Sequence, residues 1–179
     1  MKNLFKYLLI AASATLLNSS LNAQDSFQEM PENKKKNSLG IGVGLAYIPK
    51  GITSKGDGAA GIGLELVYDR ILNDKWYFLT AAEWELKEYA VKYKDEVIKS
   101  KNILILSAGI AYKVLPRLKI AIGPAYEIAR DNQYFTANFM AKYEIFSTQS
   151  VKGNIGTYLA WRIDRYYSVG LNFSISKSF

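Results

Sequence analysis

Glu83 and Glu85 stand two residues apart in an alternating stretch, so a strand through them presents both carboxylates on one face. Such a pair can run general acid–base chemistry. The competing account is an interior charge network, for which Glu65, Lys119, Glu127, Lys142, Glu144 and Arg162, with Lys87, supply charges of both signs. Buried charges pair or change protonation, so the network is the preferred reading. Asp57, or Asp95 with Glu96, can hold a hard cation only loosely, and solvated loop charge accounts for them as well; no metal site is assigned. The 179 residues include no histidine and no cysteine. That removes the commonest general base and metal ligand, together with disulfides, thiolate chemistry and acylation of an N-terminal cysteine. No motif places a base beside a serine. Neither an enzyme nor a cofactor is expected.

What remains is a question of what the elements are for. At 49% hydrophobic and 13% aromatic, the chain is rich enough in apolar residues for one folded domain. The net charge of +7 points to nucleic acid or to an anionic membrane surface. The N-terminus decides between them. Lys2 and Lys6 precede a short apolar run from Leu8 to Leu17, and a polar stretch then ends in Leu21-Asn22-Ala23. Residues 1–23 therefore read as a cleaved secretory signal peptide, too short to span a bilayer. An exported protein is not expected to meet nucleic acid. Residues 24–37, with Pro31 and Lys34-Lys35-Lys36, read as a flexible polar leader.

From 38 to 179 the texture is period two, in eight segments, and no apolar run is long enough for a helical span. The first segment sets Leu39, Ile41, Val43, Leu45 and Tyr47 against Gly40, Gly42, Gly44 and Ala46. Ile103-Leu104-Ile105-Leu106 is apolar on both faces; Leu104, Leu106, Ala108, Ile110 and Tyr112 are assigned outward. Residues 70–75, 115–116 and 146–150 are expected as short turns at one end. At the other, 48–58 and 89–101 are expected as long loops, and 130–133 and 164–165 as brief links.

Alternation alone fits soluble barrels, whose apolar face points inward. Here the minor face carries Gly, Ala, Ser and Asn mixed with charges of both signs, which suits a narrow polar interior. The aromatic residues also sort into two belts. With strands running alternately up and down, Tyr68, Trp76, Phe78, Tyr112, Tyr143 and Phe179 fall at one end. Tyr47, Trp84, Tyr126, Phe135, Trp161 and Tyr167 fall at the other, with aliphatic residues between. Lipid also demands a closed sheet, and an even strand number returns both termini to one side. An all-β, eight-stranded antiparallel up-and-down transmembrane barrel is expected over 38–179.

The export sequence, the eight segments and the ending Val169-Gly170-Leu171-Asn172-Phe173-Ser174-Ile175-Ser176-Lys177-Ser178-Phe179 resemble the small outer-membrane barrels of OmpA/OmpX type. The resemblance implies a bacterial outer-membrane location. It also implies an assembly signal read by the barrel-assembly machinery, matched by Gly170, Phe173, Ile175 and Phe179 and departed from at Lys177. Enzymatic barrels of related architecture depend on a histidine that this chain lacks. The segments that adjoin on closure carry only small inward residues, from Gly40 to Ala46 and from Ser168 to Ser178. Tyr77, Met140, Tyr158, Glu65 and Arg162 are expected to lean across and fill the lumen. The reading is a structural or surface-interacting protein that does not conduct. A narrow channel for a small or apolar solute is the alternative, and a secreted soluble ligand-binding barrel a second. Outer-membrane lipids are the expected surroundings, and Lys50, Lys55, Lys92, Lys94, Lys99 and Lys101 are candidate contacts to lipopolysaccharide.

Overall fold

The computed structural model describes residues 35–53, 56–86, 89–93, 96–100, 102–130, 132–162 and 166–179. The expected signal peptide, the leader as far as residue 34, Lys55, Lys87, Lys94, Asp95, Lys101 and the 164–165 link lie outside them. Ten strands form among the described residues: β1 (Asn37–Thr53), β2 (Gly56–Ile71), β3 (Trp76–Glu85), β4 (Tyr89–Tyr93) and β5 (Glu96–Ser100). They continue with β6 (Ile103–Leu115), β7 (Leu118–Ile128), β8 (Gln133–Ser147), β9 (Val151–Arg162) and β10 (Tyr167–Ser178).

Eight of these strands make the barrel, in the order β1-β2-β3-β6-β7-β8-β9-β10, each antiparallel to the next. β10 returns to β1 from Ser38↔Ser178 to Tyr47↔Val169, so the sheet closes on itself and leaves no wall edge unpaired. Asn37 and Phe179 exchange backbone hydrogen bonds of 3.2 and 2.9 Å where the chain ends meet, at what we call the base. The opposite end is the rim. Base turns are tight: Asn73 Oδ1 accepts from the backbone N–H groups of Lys75 and Trp76, an Asx turn joining β2 to β3.

The rim departs from the expected loops. β1 and β2 pair beyond the apolar stretch as far as Thr53↔Gly56, with an irregularity between Ile48 and Ile52. Backbone pairing does not depend on side-chain hydropathy, so the ladder outlasts the apolar alternation that announced it. The expected loop 89–101 is a second hairpin, β4–β5, and β4 also pairs with β1 through Gly51↔Val91 and Ile52↔Ala90. It stands on the rim and adds no strand to the closed wall.

Sidedness is clear from burial. Ile41 is 72% exposed, Ile120 51% and Phe173 43%, while Glu127, Arg162, Lys142 and Asn172 are buried inside. In the ambiguous segment Ile103 is buried and Leu104, Leu106 and Ile110 are exposed, as assigned. The aromatic belts also form contacts. Trp76 meets Tyr112 edge-on at 4.9 Å between centroids near the base, and Tyr126 meets Phe135 at 5.6 Å near the rim.

One seam is unusual. The β6–β7 pairing lapses between Ser107↔Ala125 and Ile110↔Ile122 and resumes in the same register. Pro124 sits there and has no N–H to give the ladder. A Cβ at Gly109 would lie 2.7 Å from the Ile122 carbonyl oxygen, and one at Gly123 would run into the Ala108 carbonyl. Only glycine lets the two backbones come this close.

Candidate functional site

The lumen is where this sequence gathers its charge. Arg162, the last residue of β9 before the rim, is buried, and its Nε donates a 2.6 Å hydrogen bond to Glu127 Oε2 of β7. Its Nη2 forms an ion pair with the same carboxylate. Nη1 donates to Ser168 Oγ of β10 at 3.1 Å, and Nη2 reaches the Tyr89 hydroxyl of the rim hairpin at 3.5 Å. The guanidinium also lies 4.5 Å from the Tyr166 ring centroid, and Tyr166 in turn packs edge-on against Tyr134. Burial pushes the Tyr166 phenol, beyond the end of β9, up to about 12, so it stays neutral at physiological pH. One cation thus ties β7, β9, β10 and the hairpin together.

Beside this clamp, at the rim, lies apolar packing. Ile48, Ala59, Tyr89, Val91, Ile103, Ala129 and Tyr166 form one buried cluster. Hairpin residues Tyr89 and Val91 belong to it, so the element that replaced the expected loop helps to cap the barrel. Tyr89 and Tyr166 were not singled out in the sequence. Tyr89 sat in a charged stretch, and nothing around Tyr166 distinguished it from an ordinary belt tyrosine.

Five of the eight expected network residues, Glu65, Glu83, Glu85, Glu127 and Arg162, line a single cavity below the clamp. It measures about 30 Å³ at the positions a water centre can occupy, room for roughly two waters. Glu85 Oε2, Glu127 Oε1 and Thr136 Oγ1 line it without a protein partner. Asn172 donates to Glu65 Oε2 at 3.3 Å from β10. The other three residues lie elsewhere. Lys142 pairs with Asp69 at 3.5 Å, Lys119 holds its ammonium 4.0 Å from the Tyr77 ring centroid, and Glu144 is half-buried near the base. The interior charge is therefore divided between the Arg162–Glu127 pair and the Lys142–Asp69 and Lys119–Tyr77 contacts nearer the base.

The wall of small residues is covered in part, by Tyr158 from the expected set and by Glu83, which was not in it. A Cβ at Gly170 would strike the Tyr158 ring, and one at Gly44 would lie 2.9 Å from Glu83 Oε1. Tyr158 from β9 and Glu83 from β3 thus occupy the space that β1 and β10 leave. Nearer the base, Tyr77, Ala111 and Ala121 pack together with Ile71, Leu79 and Met140 against them.

Among the ending residues, Gly170 points inward while Phe173, Ile175, Lys177 and Phe179 are exposed. Lys50, Lys92 and Lys99 lie on the rim strands β1, β4 and β5.

No protein-family model matches the chain, and no curated protein matches it in sequence. Solved structures do match in fold. The N-terminal β-barrel domain of Pseudomonas aeruginosa OprF aligns with a TM-score of 0.54 at 12% identity, over 82% of this chain and 100% of that one. Ail, the attachment invasion locus protein of Yersinia pestis, aligns at 0.50 and 10% identity, over 82% and 100%. The outer membrane protein OprG from Pseudomonas aeruginosa aligns at 0.50 and 11% identity, over 82% and 97%. The fold, with its apolar exterior and polar centre, is that of the small eight-stranded outer-membrane β-barrels.

Proposed function

We propose that this chain is an integral protein of a bacterial outer membrane, exported by its N-terminal signal peptide, with a structural or surface-interacting role and no enzymatic activity. One observation carries the reading. The outer wall is a continuous band of exposed aliphatic residues, from Ile41 to Ile122 at 56% exposure, bounded by aromatic belts, while charge is turned inward. In water that arrangement would leave the apolar area unburied; in hydrocarbon it is the favourable one. The shared fold supports the same placement.

A barrel of eight strands leaves an interior that side chains can fill. The Tyr158 and Glu83 side chains, the Arg162 clamp and the capped rim support a lumen that does not conduct. Rim lysines reaching lipopolysaccharide phosphates and recognition of Gly170, Phe173, Ile175 and Phe179 by the barrel-assembly machinery belong to the same proposal. The test is fractionation with heat-modifiable gel mobility, followed by reconstitution in planar bilayers. Recovery in the outer-membrane fraction without steady channels is expected. Recovery as a soluble protein overturns the membrane reading, and steady open channels overturn the closed lumen.

A further inference from the structure

The base of the lumen carries a second site. Lys35, Lys36, Lys119 and Lys152 line one recess there, together with Asn37, Asn154, Ser176 and Ser178. Asp69, the carboxylate of that lining, meets the buried Lys142 through Oδ2 at 3.5 Å, while its Oδ1 is buried without a hydrogen-bond partner, so it offsets the lysines only in part. Glu144 is half-buried on neighbouring β8. The ammonium of Lys119 is fixed over the Tyr77 ring, while Lys35 and Lys36 are exposed, with Lys35 Nζ donating to Ser150 Oγ at 2.9 Å. Ser178 is 6% exposed, and its hydroxyl faces the recess without a hydrogen-bond partner. Like charges gathered around an unmatched hydroxyl repel one another unless an anion joins them.

We infer that this recess binds a phosphoryl oxyanion. Its donors are ammonium groups, hydroxyls and side-chain amides, with no guanidinium fork among its lining residues. Lysines act on phosphate as converging point charges, and a phosphoryl group offers oxygens in several directions to meet them. The recess itself measures about 10 Å³, room for one oxygen. That oxygen enters beside Ser178 and Lys119, and the remaining oxygens stay at the mouth, within reach of the flexible Lys35 and Lys36. The inference does not depend on the proposed function, since the recess opens at the end of the lumen and not on the lipid-facing wall.

The phosphoryl group can come from a soluble phosphate or from a lipid headgroup folded over the base. The full chain, folded in octyl glucoside, is titrated with inorganic phosphate and with pyrophosphate by calorimetry, against chloride at matched ionic strength. In parallel it is reconstituted in phosphatidylcholine vesicles with and without phosphatidylglycerol, and retained lipid is counted by native mass spectrometry. Saturable millimolar binding of either soluble anion, weakened about tenfold in Lys119→Met and in Lys152→Met but not in Lys177→Met, supports the site with a free anion as its source. Selective retention of phosphatidylglycerol, lost in the same two variants, supports it with a lipid source. An effect equal to that of chloride, or one that both variants keep, overturns it. Heat-modifiable mobility of each variant verifies folding separately, so a failure here leaves the membrane reading untouched.

Discussion

At the scale of single residues, Arg162 is the most consequential side chain in the barrel. It is the only cation in contact with Glu127 among the described ion pairs, and both are removed from solvent. Arg162→Met strands a buried carboxylate, and a loss of about 3–5 kcal/mol in unfolding free energy is expected. Urea titration of the vesicle-embedded protein measures it, and the double variant with Glu127→Gln should recover most of the loss. Glycine 170 poses the opposite problem. A side chain there meets both the Tyr158 ring and the Leu45 carbonyl oxygen, so Gly170→Val should cost about 1–3 kcal/mol through overpacking, relieved only in part when Tyr158→Ala is added because the backbone contact stays. Both the inward direction of Arg162 and the leaning of Tyr158 over small residues were legible from alternation alone. The choice of Glu127 as partner was not. Alternation tells which way a residue points, while pairing across a lumen depends on strand stagger, which no local pattern records.

Among the elements, the wall strands were readable because each repeats one apolar face against one small or polar face. The hairpin β4–β5 was not. Its strands are five residues each, and Lys92, Glu96 and Lys99 break the apolar rhythm that marks the wall. Only Tyr89 and Val91 turn into the capping cluster, too few to register as a pattern. Replacing residues 89–100 with a short glycine-rich turn should leave folding and heat-modifiable mobility intact, because the closed wall does not include them. Hydrogen exchange should quicken at Ile103 and Ala129, which the hairpin covers, and stay unchanged at the base. The closing strand β10 raises a separate expectation. Phe179 meets Asn37 through two backbone bonds that its side chain does not make. Phe179→Ser should therefore refold when purified, while the amount reaching the outer membrane of cells falls; equal amounts in both settings would remove the aromatic end from the assembly signal.

For the molecule as a whole, sidedness governs tolerance to charge. Ile122 lies midway along β7 and points outward, so Ile122→Arg should lower the folding free energy into vesicles by about 2–4 kcal/mol. Val114→Lys, near the base end of β6, should cost about 0–1 kcal/mol. Similar losses at both positions would mean that the wall has no depth profile. Within that wall the gap beside Pro124 and the paired glycines has a mechanical meaning. In a tube held by hydrogen-bonded seams an interruption in one ladder matters, and here two neighbouring strands touch backbone to backbone where their pairing lapses. Amide exchange along the β6–β7 ladder is therefore expected to be quickest at this interruption, beside Pro124, and slower toward either end of the two strands.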